Sequence, residues 1–174
     1  MRELLRINGK EGVTFLELMV VIAIVAILAL LALPGLGQWK RKYDVETTIR
    51  DMYNALNEAR MRAFSEKRVC GLWWSGSTVS QIELRCDSDA DDSITDAGGF
   101  DRVWTKTLKV ALNTNLGGLC IFDSKGFADL DFQSSDEYYF WYGGTDVDAE
   151  YDCIEIRRIR LKMGEWDGTS CNPK

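Results

Sequence analysis

The sequence predicts an α+β chain: a long N-terminal transmembrane helix packed on a small antiparallel β-sandwich. Three features predict it. An apolar run from Val13 to Leu36 is interrupted by a single charge, Glu17. A second stretch places Val45, Ile49, Met52, Leu56, Ala59 and Ala63 at 4-3-4-3-4 spacing, which paints one stripe on a helix. From Val69 onward, short β-like runs alternate with Gly and Ser clusters at the spacing of an antiparallel sheet. The 174 residues leave room for one anchor and one globular domain of about 100 to 140 residues.

In chain order, residues 1–12 form a short charged segment carrying Arg2, Arg6 and Lys10 and ending at Gly12. Residues 13–36 read as the membrane half of the helix. The uninterrupted part, Leu18 to Leu33, is 16 residues, or about 24 Å of helix, and reaches the roughly 20 residues a bilayer needs only with its flanks. A carboxylate in hydrocarbon costs about 2.5 to 3.5 kcal/mol, so Glu17 requires a cationic partner and a purpose. An ordinary secretory signal fits poorly: Ala23, Ala26, Ala29 and Ala32 recur every third residue and offer no A-x-A site. A plain signal anchor is the other rival. Charge leaves the orientation open, because Lys40, Arg41 and Lys42 balance the leader's cations.

Residues 37–68 continue as an amphipathic half, making a single helix of about 50 residues. Lys67 and Arg68 stand at its expected end, where cations suit the negative pole of the dipole. Pro34 is expected to kink it at the membrane surface. Residues 69–174 form the β-rich domain, with strands expected at 69–74, 78–85, 102–110, 119–122, 127–132, 138–142 and 151–161. Trp104, Leu108 and Val110 share one strand face, opposite Thr105, Thr107 and Lys109, so one face is packed and one wet. The run Tyr138 to Tyr142 cannot point one way, so some of its rings face outward.

The leader's three cations offset Glu3, Glu11 and Glu17, so the whole net charge of −6 belongs to residues 37–174. That excludes a bulk polyanion binder. All five cysteines lie there, in a segment expected outside the cytoplasm where disulfides persist. Cys153 and Cys171 bracket the late strand and its turn-rich tail, and bridging them is worth about 3 kcal/mol in the chain-entropy model. Cys70 and Cys86 flank a hairpin and form the next pair.

The chain has no histidine, which removes Ser-His-Asp and Cys-His nucleophilic machinery. No P-loop occurs, and nothing groups the many carboxylates with substrate-positioning features. No enzyme, cofactor or metal centre is expected. The loop Asp87 to Asp96 invites a calcium reading, but Asp92 stands where an EF-hand needs Gly and Gly98 where it needs the bidentate Glu; a solvated acidic loop is expected. In Ile154 to Lys162 the apolar phase shifts across Arg157-Arg158, which predicts a β-bulge that presents some of the arginines together; Arg157, Arg158, Arg160 and Lys162 are the candidates for a DNA or partner contact, with a solvated strand as the alternative.

The charged leader, Gly12 before the apolar run and Glu17 five residues beyond it resemble the class III signal of type IV pilins and type II secretion pseudopilins. With the long helix, the Leu119 to Gly126 segment and the late Arg-rich run, the chain resembles the GspH/FimT family of minor pilins and pseudopilins, although Val13 stands where that family usually has Phe and Phe15 where it usually has Leu. The resemblance implies a pilin-like fold, cleavage by prepilin peptidase between Gly12 and Val13, and N-methylation of Val13. It also implies an assembly role for Glu17, whose carboxylate pairs with an N-terminal amine in the filament core. The expected partners are other pilin or pseudopilin subunits, the peptidase and the inner membrane, which the chain crosses once with its globular domain periplasmic. DNA is the secondary partner: FimT-like uptake pilins carry Gly-Arg-x-Arg here, and Arg158 and Arg160 match its arginines while Arg157 replaces its Gly. The acidic net charge argues against that contact at long range.

Overall fold

The computed structural model describes residues 12–95, 99–130 and 137–174, with the backbone alone for residues 30–35. The leader's cations and residues 96 and 98 of the acidic loop lie outside the described residues. Among the described residues one helix, α1 (Phe15–Glu66), is 52 residues long and leads into eight strands: β1 (Cys70–Trp73), β2 (Thr78–Asp87), β3 (Phe100–Thr114), β4 (Leu119–Phe122), β5 (Tyr138–Trp141), β6 (Cys153–Arg157), β7 (Arg160–Trp166) and β8 (Cys171–Pro173). The chain forms two compact units, Met1–Trp39 and Lys40–Lys174. Pro34 does not end α1, because a proline removes only one backbone donor from a ladder that neighbouring turns maintain.

Within the second unit, the head, the helical stripe is buried as its spacing requires. Val45, Ile49, Met52, Leu56, Ala59 and Ala63 are all inaccessible. Each large member contributes about 1.5 to 3 kcal/mol by leaving water. From Ile49 to Ala63 the stripe packs with Leu72, Trp74, Ile82, Leu84, Leu112, Phe122, Phe140, Ile154 and Ile156 from the sheet in one core. Beside it, polar contacts tie helix to β3: the Trp104 indole donates to Glu58 at 3.1 Å, and Lys106 pairs with Asp51 at 3.0 Å. At the helix end Lys67 takes a left-handed φ of 56°, and Arg68 reaches across to the Asp87 carbonyl and the Asp101 carboxylate, both at 2.8 Å.

The strands form one antiparallel sheet in the order β4-β1-β2-β3-β5-β6-β7-β8, where the sequence predicts a sandwich. The join is at the far end of β3, where Asn113 and Thr114 pair with Trp141 and Phe140. Alternation along a strand reveals a buried face but not what covers it, and here the covering layer is α1. The register of β2 on β3 shifts between Val79↔Leu112 and Gln81↔Thr107. Around residue 127 the expected strand reduces to an isolated bridge, Phe122↔Ala128; residues 131–132 lie outside the described residues. The single strand expected at 151–161 is instead two, β6 and β7, turning at Arg158-Ile159 with Ile156 opposite Leu161. The bulge expected there is therefore a hairpin: the apolar phase shifts because the chain reverses.

Two disulfides close the sheet. Cys70–Cys86 joins directly opposed residues of β1 and β2, and Cys153–Cys171 joins β6 to β8. Cys120 is free and buried, and burial pushes its thiol up to about 12. Gly71 permits the close approach of β1 and β4, since a Cβ there would lie 2.4 Å from the Cys120 carbonyl oxygen. After β2, Ala90 holds a φ of 64°, a region that costs an L-residue about 1 to 2 kcal/mol. Ala90→Gly should therefore stabilise the head by about 0.5 to 1 kcal/mol after the added backbone entropy of glycine, measured as a rise in the urea midpoint.

Candidate functional site

Gly12 lies ahead of α1 in open backbone, where an added Cβ would meet nothing within 4 Å, and Val13 is 70% exposed. Both sides of the Gly12-Val13 bond are thus accessible to another protein. Thr14 caps the helix: its hydroxyl oxygen accepts the Glu17 N–H at 3.2 Å, and its carbonyl accepts the Leu18 N–H at 3.1 Å. Thr14-x-x-Glu17 has the spacing of a capping box, which places the Glu17 carboxylate in the first turn where the helix dipole favours negative charge. That signal stands in the sequence and gives Glu17 a local role besides the one inferred for it in assembly.

From Phe15 to Leu28 the helix exposes apolar side chains on every side, including Phe15, Leu16, Met19, Ile22, Val25 and Leu28. A helix apolar all round must be covered by lipid or by protein. Among the described residues, however, no helix is long and apolar enough to cross a membrane. The described apolar side chains, Phe15 to Ala29, account for only about 22 Å, short of the transmembrane span expected for 13–36; the side chains of residues 30–35 lie outside the described residues.

The basic cluster divides at the hairpin. Arg157 is engaged by Glu155 at 2.6 Å and by Glu137. These carboxylates relieve its placement directly opposite Arg160, a like-charge pair that would otherwise destabilise the ladder. Arg158, Arg160 and Lys162 are exposed, and their side chains hold no ion pair among the described residues. The four cations therefore do not act as one patch: three project at the turn and one is neutralised.

The opposite end of β6 and β7 is aromatic and acidic. Trp141 and Trp166 stack with centroids 4.6 Å apart, and Tyr139 meets Trp166 edge-on at 5.5 Å. Alternation puts Tyr138 and Phe140 in the core and leaves Tyr139 and Trp141 on the other face, as the run of five aromatics requires. Beside the stacked tryptophans lies a cavity of about 500 Å³ whose lining includes Asp148, Asp152, Glu165 and Asp167. Burial pushes the Asp152 carboxyl above its ordinary range, Glu165 adds to this, and the Trp166 N–H donated to it at 2.6 Å opposes it. The sequence offers no local signal for this assembly, which joins three strands.

The acidic loop is only partly solvated. Asp87 is buried and accepts the N–H groups of Asp89, Ala90 and Asp92 at 2.9 to 3.0 Å. Asp87, Asp89 and Asp91 bring carboxylate oxygens within 4.8 Å of one another, but both Asp87 oxygens already serve the loop backbone. Burial alone would raise the Asp87 pKa; the three N–H donors outweigh it and hold the group below its usual 3.8. A depressed folded value means stabilisation present above the unfolded pKa and lost as pH falls through the folded one. Asp87→Asn should thus lower the urea midpoint at about pH 7, with the difference from wild type shrinking as pH falls below the ordinary carboxylate value of 3.8.

The family model of the prokaryotic N-terminal methylation motif matches residues 7–33. No curated protein and no solved structure matches the chain. The motif indicates a type IV pilin-like precursor processed by prepilin peptidase, and with it a membrane-anchored, extracytoplasmic assembly of pilin subunits.

Proposed function

We propose that the chain is a minor pilin or pseudopilin of the GspH/FimT kind, a structural subunit of a type II secretion or type IV pilus filament with no catalytic activity of its own. One observation carries the reading. The methylation motif, residues 7–33, takes in the start of a helix that is apolar on all sides and, from Phe15 to Ala29, charged only at Glu17. Such a helix is covered by the inner membrane before assembly and by neighbouring helices after it. Cleavage at Gly12-Val13 creates an amine at the start of that helix. In low dielectric an amine and a carboxylate neutralise one another where either alone is costly, so the Val13 amine of one subunit pairs with Glu17 of a neighbour and sets the axial register. The head is displayed periplasmically, where its two disulfides persist.

Intact mass of the membrane-extracted protein tests the proposal, with loss of residues 1–12 and gain of one methyl group as the expected result. Retention of the leader would overturn it. Glu17→Val should leave the head folded and its disulfides formed yet block incorporation into filaments, read by cross-linking to neighbouring subunits; normal incorporation would sink the role given to Glu17.

A further inference from the structure

The β6–β7 hairpin is electrically polar along its length. At its turn Arg158, Arg160 and Lys162 project into solvent, with exposed Ile159 between the arginines. At its open end the cavity carries Asp148, Asp152, Glu165 and Asp167 beside the Trp141–Trp166 stack. Seven residues of β7 separate the poles, about 20 Å.

The acidic pole stays negative after its internal contacts are counted. Lys174 pairs with Glu165 at 2.8 Å. Asp167 accepts the N–H groups of Thr169 and Ser170, which hold it in its charged form, and Asp152 accepts that of Trp166. Asp148 is exposed and has no ion-pair partner among the described residues. One cation thus faces four carboxylates, next to an indole wall. Indole faces attract guanidinium groups, and carboxylates bind them in a planar fork. The cavity therefore suits an arginine-bearing segment, and the chain presents one at the other pole of the same hairpin.

We propose that the basic turn of one copy's hairpin docks into the acidic, tryptophan-walled cavity of a second copy. A turn that fits a pocket elsewhere on an identical molecule makes a heterologous contact, which repeats without closing unless the rotation returns to its start. Such a contact between heads adds to helix packing and specifies which face of the head meets the next subunit. The proposal builds on the filament reading, because only an assembly brings heads of one orientation side by side.

The test uses the full processed chain in its native membrane, with a photo-cross-linking amino acid in place of Ile159. The expected product is an adduct of two copies, with the linked peptide mapping to the segments around Trp141 to Asp148 or Glu165 to Gly168. Arg158→Glu with Arg160→Glu should reduce the adduct at least tenfold. Adding Asp148→Lys and Glu165→Lys to the same chain should restore it, an outcome that misfolding cannot mimic. Absence of the adduct, mapping to another protein, or failure of the charge swap overturns the docking. Retardation of duplex DNA at low salt by wild type and not by the double Arg→Glu variant, without an adduct, reassigns the turn to nucleic acid. Intact mass of the same sample reads leader removal separately: a processed chain lacking the adduct sinks the docking and leaves the filament reading standing.

Discussion

Exchanging Arg85 for alanine should destabilise the head by about 3 kcal/mol, the lower end of the 3 to 5 kcal/mol typical of breaking a buried ion pair. Arg85 is buried on β2, with its guanidinium 3.9 Å from the Trp73 ring centroid and 4.1 Å from that of Phe100. It grips Glu83 through Nε and Nη2 at 3.0 and 2.7 Å. Nη1 reaches the Ile94 carbonyl at 3.4 Å and so anchors the acidic loop. Removal leaves Glu83 mostly buried, but Arg102 remains 3.1 Å away and covers part of the loss. Arg85→Lys should fall between wild type and Arg85→Ala, because an ammonium keeps the charge and loses the planar fork and the stacking. Urea unfolding of the processed chain in detergent checks both. A loss below about 1 kcal/mol for Arg85→Ala would show that the pair and the two ring contacts contribute no more than an exposed ion pair does.

Removing the Cys153–Cys171 bridge by changing both residues to alanine should cost about 3 kcal/mol, the chain-entropy value for a sequence separation of 18. The Cys70–Cys86 bridge, at a separation of 16, should contribute about the same if the unfolded chain governs the effect. Their local consequences differ. Cys171 pairs with Trp166, so losing its bridge frees β8 beside the stacked tryptophans, whereas Cys70 and Cys86 are held by the β1–β2 register in any case. Hydrogen exchange should therefore rise around Trp166 to Cys171 in the first variant and stay low around Leu72 and Leu84 in the second. Equal protection in both variants would show that strand pairing alone holds β8.

Much of the head is legible in the sequence. The stripe from Val45 to Ala63 is buried residue for residue because a 3.6-residue period is a local property that survives packing. The strands at 70–73, 78–87, 100–114 and 119–122 lie where Gly and Ser clusters punctuate the chain. The hairpin at Arg158-Ile159 escapes detection because its turn contains neither the Gly nor the Asn that marks a two-residue loop. Arg85 escapes for a related reason: a charge in a strand reads as solvent-facing, and only rings and a carboxylate gathered from separate positions make burial tolerable.

By itself the sequence determined the methylation motif, the apolar helix with Glu17 near its start, the face of α1 that enters the core, and the residues with high strand content. These are written in spacings of a few residues, and short-range geometry reads them directly. The tertiary structure decided that the strands make one sheet, through pairing of Thr114 with Phe140. It decided that Arg157 is taken up by Glu155 and Glu137 while Arg158 and Arg160 hold no ion pair among the described residues, and it formed the two bridges that the cysteine spacing had already singled out. Each of these depends on groups distant in sequence becoming neighbours in space, and local periodicity does not encode that.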